Sequence, residues 1–151
     1  MVKAGGELLL RIFLLPLPVI VASSGHAIGA GALLLLAADY RLSANTECKI
    51  ILNEVSIGLP LPGFGVELAR ARLAKTAIVQ TVLFSQPHNP STASEVGFID
   101  QVVEPEVLLS TAEEKARELA KLDGRTFVET KQSFRGQIMD KVAAYPAIDV
   151  T

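Results

Sequence analysis

At 151 residues the chain is long enough for one domain with a real core and too short for two ordinary ones. Half of the residues are hydrophobic and a fifth are charged, which excludes a disordered polypeptide, and a net charge of −2 without clustered Lys and Arg excludes a nucleic-acid surface. The single cysteine, Cys48, excludes an internal disulfide and fits a reducing compartment, cytoplasm or organellar matrix, rather than secretion.

Near the N-terminus Lys3 precedes LLLRIFLLPLPVIVASSGHA, a run with the outline of a secretory signal and a small-residue cleavage site. Glu7 and Arg11 interrupt it where a signal needs an unbroken apolar core. Together with Pro16 and Pro18 they also break any membrane span. Glu7 to Leu15 is instead expected as a helix, ending before Pro16 because proline disfavours helical geometry in the residue that precedes it. Leu8, Phe13 and Leu15 would then face a partner layer, and a chain opening on so apolar a helix leads to the expectation that part of its cover lies upstream of Met1.

The organising stretch runs from Val19 to Asp39. The β-branched run Val19, Ile20, Val21 reads as a buried strand, Gly25 to Gly31 as a tight glycine-rich turn, and Ala32 to Ala38 as a buried helix. Strand, turn and helix in that order leave backbone N–H groups unpaired at a helix start, where the macrodipole adds partial positive charge and stabilises a phosphate or an oxyanion. Gly29, Ala30 and Gly31 let a ligand approach the main chain closely, although small residues also serve tight strand–helix packing.

Further on, Asp39 to Ser43 and Lys49 to Leu52 read as short strands. Glu54 follows the second directly and stands before the Gly- and Pro-rich stretch Gly58 to Gly65. Such a carboxylate serves either as a surface or capping group or as a catalytic one, and the neighbouring Asn53 either orients it or closes a turn. Val66 to Ala74 and Thr76 to Phe84 are expected as helices, with Arg70 and Arg72 as surface charge and His88 in a loop. Asn89 or Ser91 caps a helix stopped by Gly97. Phe98 to Val103 reads as a strand, Pro105 to Leu122 as an amphipathic helix with Glu113, Glu114, Lys115, Arg117 and Glu118 outward, and Thr126 to Ala144 as a last helix after Gly124. Cys48 is expected at a strand end in the core and His26 as a structural residue of the glycine turn.

One reading of VIVASSGHAIGAG is the G-x-x-x-G-x-G turn of a dinucleotide reductase, with Gly25, Gly29 and Gly31 in place. It lacks the Tyr-x-x-x-Lys pair of such enzymes, since Tyr40 is followed by Ala44 and Tyr145 by Asp149.

Taken together, SGHAIGAGALLLLAADYRLSA, KIILNEVSIGLPLPGFG, ASEVGFIDQVV and the closing helices resemble the crotonase superfamily of enoyl-CoA hydratases and isomerases, in the right order from about Gly5 to about Tyr145. The resemblance implies an α/β fold, a partial ββα spiral over residues 1–103 whose N-terminal strands are missing. Residues 104–151 would be a C-terminal helical region that drives assembly into a homotrimer or hexamer.

It also implies an acyl-CoA thioester as substrate, with coenzyme A entering only as part of it and no separate cofactor or metal. In that family two backbone N–H groups bind the thioester oxygen while a carboxylate removes a neighbouring proton. One donor falls on Ala30, flanked by Gly29 and Gly31, and the other on a loop preceding the homologous region. Family hydratases hold water between two glutamates. The first falls on Leu33, which cannot hold or deprotonate water, and the second on Glu54. Leucine at the one place and an LNE motif at the other are similar to Δ3,Δ2-enoyl-CoA isomerases, whose double-bond shift needs one carboxylate as base and then acid. In an apolar pocket lined by Leu33 and Ile57, Glu54 is expected to have a raised pKa. The other readings are a hydratase and a family subunit without turnover.

Overall fold

A computed structural model describes residues 2–143. The chain opens on helix α1 (Val2–Leu14) and passes through strands β1 (Ile20–Ser23) and β2 (Ala27–Ile28) into helix α2 (Ala30–Ala37). Strands β3 (Tyr40–Ala44) and β4 (Ile50–Ile51) and helices α3 (Gly63–Arg72) and α4 (Pro90–Val96) follow. Strand β5 (Gln101–Val103) and helices α5 (Leu108–Leu119) and α6 (Gly124–Ala143) complete it. Among the described residues no helix is long and apolar enough to cross a membrane.

The strands alternate between two parallel sheets. β1, β3 and β5 form one, in register Ile20 to Tyr40 and Leu42 to Gln101. β2 and β4 form the other, pairing Ala27 with Ile50 and Ile28 with Ile51. Each turn of the chain thus lays one strand in each sheet before a helix, the right-handed crossover logic of parallel strands repeated as a spiral. The expected turn over Gly25 to Gly31 therefore contains a strand of its own, because Ala27 and Ile28 within it pair with β4. That interruption also removes the dinucleotide reading, in which a strand must run straight through the glycine turn into its helix.

Helix α2 is apolar on every side, and a helix of that composition is stable only in the middle of a core. Ala32, Leu33, Leu35, Leu36 and Ala37 are all buried. Leu9 and Phe13 of α1, Leu68 and Ala69 of α3, and Ile50, Leu52 and Phe98 enclose them. A smaller cluster joins Leu42 and Ala44 to Leu108 and Ala112, which seats α5 on the first sheet.

The buried charges were not legible as such. Strand β3 follows an alternating pattern, yet Arg41 and Ser43 are as buried as Leu42, because the helices cover both faces. Arg41 grips Asp100 with Nε and Nη2 at 2.8 and 2.7 Å while its own amide donates to the same carboxylate at 2.9 Å. Asp39 accepts from the Val19 amide at 2.7 Å and pairs with Lys131 and Arg135 of α6, each at 2.6 Å. Lys131 also donates to the Leu17 carbonyl and Arg135 to that of Phe13. Arg72, expected as surface charge, turns inward to the carbonyls of Leu36 and Ala38 at the end of α2, where cations complement the helix dipole. Arg70 is exposed and pairs with the buried Glu67.

Other differences are local. Residues 76–84 are no second α-helix. β-Branched Ile78, Val79, Thr81 and Val82 weaken helical preference, and the chain makes a wide π-type turn, Val79–Leu83. That turn buries Thr81, whose hydroxyl lies 3.0 Å from Nε2 of His88; His88 lies in the connection to α4, as expected, but is buried there and bridges to Ile50. Residues 98–100 precede β5 rather than belong to it, since Asp100 serves Arg41. Pro105 opens a 3₁₀ turn (Pro105–Val107) before α5. Gly124 begins α6, and Ala144 lies outside the described residues. Asn89 caps α4 with a reciprocal bond to Thr92, and Gly97 stops it with φ 99°. Cys48 is buried beside β4.

Removing Asp39 leaves two buried cations facing each other. Asp39→Ala is expected to lower unfolding free energy by about 3–5 kcal/mol, read as a lower midpoint in urea with an unchanged slope.

Candidate active site

Helix α2 begins at Gly29, whose φ of 55° and ψ of −112° lie where L side chains are strained. The Gly29 amide is already committed to the Ile51 carbonyl at 2.9 Å, an extension of the β2–β4 pairing. The next amide, that of Ala30, has no acceptor among the described residues. It is a free donor at a helix start, directed by the macrodipole toward negative charge.

The same strand pairing brings a carboxylate to this point. Leu52, Asn53 and Glu54 follow β4 directly, so the register of Ile28 opposite Ile51 carries them alongside the start of α2. A Cβ built on Gly29 would lie 3.0 Å from Oδ1 of Asn53 and 3.6 Å from Oε1 of Glu54. Gly29 is thus required twice, by its φ and by the two side chains packed over it. A Cβ on Gly31 would meet only the Ala27 methyl at 3.8 Å, an ordinary contact.

Glu54 is partly buried, and its Oε2 is shut away from water with no hydrogen-bond partner. Burial pushes its carboxyl above the usual glutamate range, and a bond from its own backbone amide offsets part of that rise. A carboxyl oxygen buried without a donor, as Oε2 is, favours the protonated form, which is the state of an acid ready to give a proton back. The direction of this shift agrees with the expectation from sequence.

The neighbours differ in role. Leu33 is buried and points toward the first turn of α3: a Cβ on Gly65 would sit 3.2 Å from Leu33 and 3.0 Å from Leu61. Ile57 is 58% exposed, so it stands at the rim rather than as an enclosing wall. Asn53 has both of its suggested parts, its Oδ1 at Gly29 and its carbonyl closing the turn by accepting from Ile57 at 3.2 Å. His26 is exposed, with Nδ1 accepting from the Lys49 amide at 2.9 Å, so it prolongs the β2–β4 pairing rather than the glycine turn. Sequence reasoning missed Ser56 and Ser85. The Ser56 hydroxyl donates to the Asn53 carbonyl at 2.7 Å, and its amide donates to the Ser85 hydroxyl at 3.3 Å. Ser56 three residues beyond Asn53 had the spacing of a local turn bond, whereas nothing local marks Ser85.

A sequence model described as enoyl-CoA hydratase/isomerase matches residues 1–151. Among solved structures, the enoyl-CoA isomerase of Mycobacterium tuberculosis is 38% identical with a TM-score of 0.91, over 95% of this chain and 63% of that one. An enoyl-CoA hydratase of Mycobacterium marinum is 38% identical with a TM-score of 0.90, over 95% and 64%. Human mitochondrial Δ3-Δ2-enoyl-CoA isomerase is 27% identical with a TM-score of 0.89, over 93% and 55%. The chain spans somewhat less than two thirds of the length of these relatives.

Two outcomes follow from the geometry. Because the folded-state pKa of Glu54 is raised, its contribution to stability is fully present below the unfolded pKa and is lost as pH rises through the folded value. Glu54→Gln is therefore expected to be more stable than the parent at neutral pH, by no more than about 1 kcal/mol for a group only partly buried. The gain should disappear below the ordinary glutamate pKa when melting is followed against pH. Gly29→Ala forces a strained φ and a contact with Asn53, and is expected to cost about 1–3 kcal/mol in denaturant unfolding.

Proposed function

The chain belongs to the enoyl-CoA hydratase/isomerase family, and from that premise we propose that it shifts a double bond in a fatty acyl-CoA thioester by a single-carboxylate 1,3-proton transfer. The observation that carries this reading is the half-buried Glu54 carboxyl, its Oε2 shut from water without a hydrogen-bond partner, beside the unpaired Ala30 amide. The thioester oxygen accepts from Ala30, with Gly29 and Gly31 leaving room for it. Glu54 takes a proton from C2 of a 3-enoyl thioester, the negative charge passes to that oxygen as an enolate, and the same carboxyl returns the proton at C4. One such donor contributes ~2.7–4 kcal/mol to the transition state. In this reading Leu33 and Ile57 contribute apolar surface to the acyl chain, and coenzyme A enters only with the substrate.

Isomerisation is favoured over hydration by one residue. Hydration needs a second polar group to hold and activate water, and the place two residues beyond Gly31 is occupied by Leu33, buried in hydrocarbon. The relatives do not divide the two activities, since an isomerase and a hydratase match equally well.

The proposal extends to assembly as a homotrimer or hexamer involving residues 104–151. Exposed Leu109 and Phe134, and outside that region Val79, Leu83 and Phe84, support it as apolar side chains suited to an interface.

With a 3-enoyl-CoA as substrate, the chain is expected to form the 2-enoyl product and Glu54→Gln to lose at least about a hundredfold in kcat. kcat/KM should fall on the acid side with a midpoint above the ordinary glutamate value, because only the ionised carboxylate takes the C2 proton. Hydration of a 2-enoyl-CoA without isomerisation would support the hydratase reading. Trimers in sedimentation with neither activity would support a subunit kept for assembly.

A further inference from the structure

Glu54 sits at the head of a short 3₁₀ turn (Val55–Ile57) that has little packing of its own. None of its residues is buried, and Val55 and Ile57 are 46% and 58% exposed. The carboxyl lacks a donor at Oε2, so side-chain bonds to other elements do not locate it. Its place depends on the path of the main chain from Asn53 onward, and that path depends on what holds the turn.

The holding group comes from another part of the chain. Ser85, twenty-nine residues after Ser56, is 6% exposed, and its hydroxyl oxygen accepts from the Ser56 amide at 3.3 Å. The Ser56 hydroxyl in turn donates to the Asn53 carbonyl at 2.7 Å. Ser85 is the one non-glycine among the described residues with a positive φ, 49°. The wide turn at Val79–Leu83 delivers the chain into that conformation, with the Phe84 amide bonded back to Val79 and the Gln86 amide to Gln80. Glycine would adopt this backbone without strain. A serine held there instead keeps a hydroxyl aimed at the turn that carries Glu54, and a strained residue retained beside a candidate proton carrier is the usual place for such strain.

We propose that Ser85 is a positioning residue for the proton transfer: its hydroxyl anchors the turn after Glu54 and so holds the carboxyl against the start of α2. This rests on Glu54 being the proton carrier. The bond orders the turn, keeps water from the carboxyl, and ties the site to the Val79–Leu83 segment, whose exposed apolar residues neighbour Ser85 in sequence.

The test compares the whole chain with Ser85→Gly and Ser85→Ala. Both remove the hydroxyl, and the glycine variant also relieves the backbone, so it should melt at or above the parent temperature and provide a folded comparison. Hydrogen exchange at the Ser56 amide is expected to quicken at least about tenfold in both. The Glu54 carboxyl, followed by ¹³C resonance against pH, should titrate closer to an ordinary glutamate as water gains access. With a 3-enoyl-CoA, kcat should fall about tenfold at unchanged KM, the mark of a misplaced reacting group rather than lost binding. Unchanged Ser56 exchange and unchanged Glu54 titration in both variants overturn the proposal. If the parent chain shows no isomerisation, the reading of its function fails by itself, and exchange and titration still decide the role of Ser85.

Discussion

A single hydrogen bond, from the Gly29 amide to the Ile51 carbonyl, sets the geometry on which the rest depends. It is the last rung of a pairing only two residues long. Because it consumes one amide at the start of α2, the free donor becomes that of Ala30. Because it fixes the register of β4, the residues after the strand arrive beside that donor. Donor and carboxylate therefore come from one strand pairing, and neither can shift without the other.

The short pairing is held by what surrounds it. Helix α2 is buried along most of its length beyond its first turn, and its far end would leave orphan carbonyls in the core if Arg72 did not reach the carbonyls of Leu36 and Ala38. Burial, with Arg41 and Arg135 nearby, pushes the Arg72 guanidinium down to about 10. Among the described residues, the cations Arg41, Lys131 and Arg135 pair with Asp39 and Asp100, and Arg72 lies near both carboxylates. The remaining charge is accommodated by carbonyls at or just beyond the ends of α1 and α2, those of Phe13, Leu17, Leu36 and Ala38. Charge thus fastens α6 to the chain's own spiral.

The two kinds of buried charge in the molecule have opposite logic. Asp39 and Asp100 are surrounded by donors, and those bonds hold elements together. Glu54 has no such donor at its buried Oε2, and burying that oxygen costs the chain stability. A carboxyl that must exchange a proton has to be less comfortable as an anion than a structural one, and the turn bearing it is correspondingly light in packing.

Apart from β2 and the helix expected over residues 76–84, sequence alone determined the order of the elements, the buried nature of α2, the glycine-rich helix start with Ala30 in it and the position of Glu54 after a strand. Each of these is a local signal, an apolar run, a small-residue turn or a carboxylate at a strand end. The tertiary structure decided the rest. It made a strand of part of the glycine turn, turned Arg72 and His88 inward, left Ile57 at the rim, and brought Ser85 to Ser56. Those outcomes depend on which segments lie against one another, and no periodicity in a single segment encodes its neighbours. A charge on a helix face reads as solvated until another helix end is known to lie beneath it, and a serine reads as ordinary until the amide it faces arrives from elsewhere in the chain.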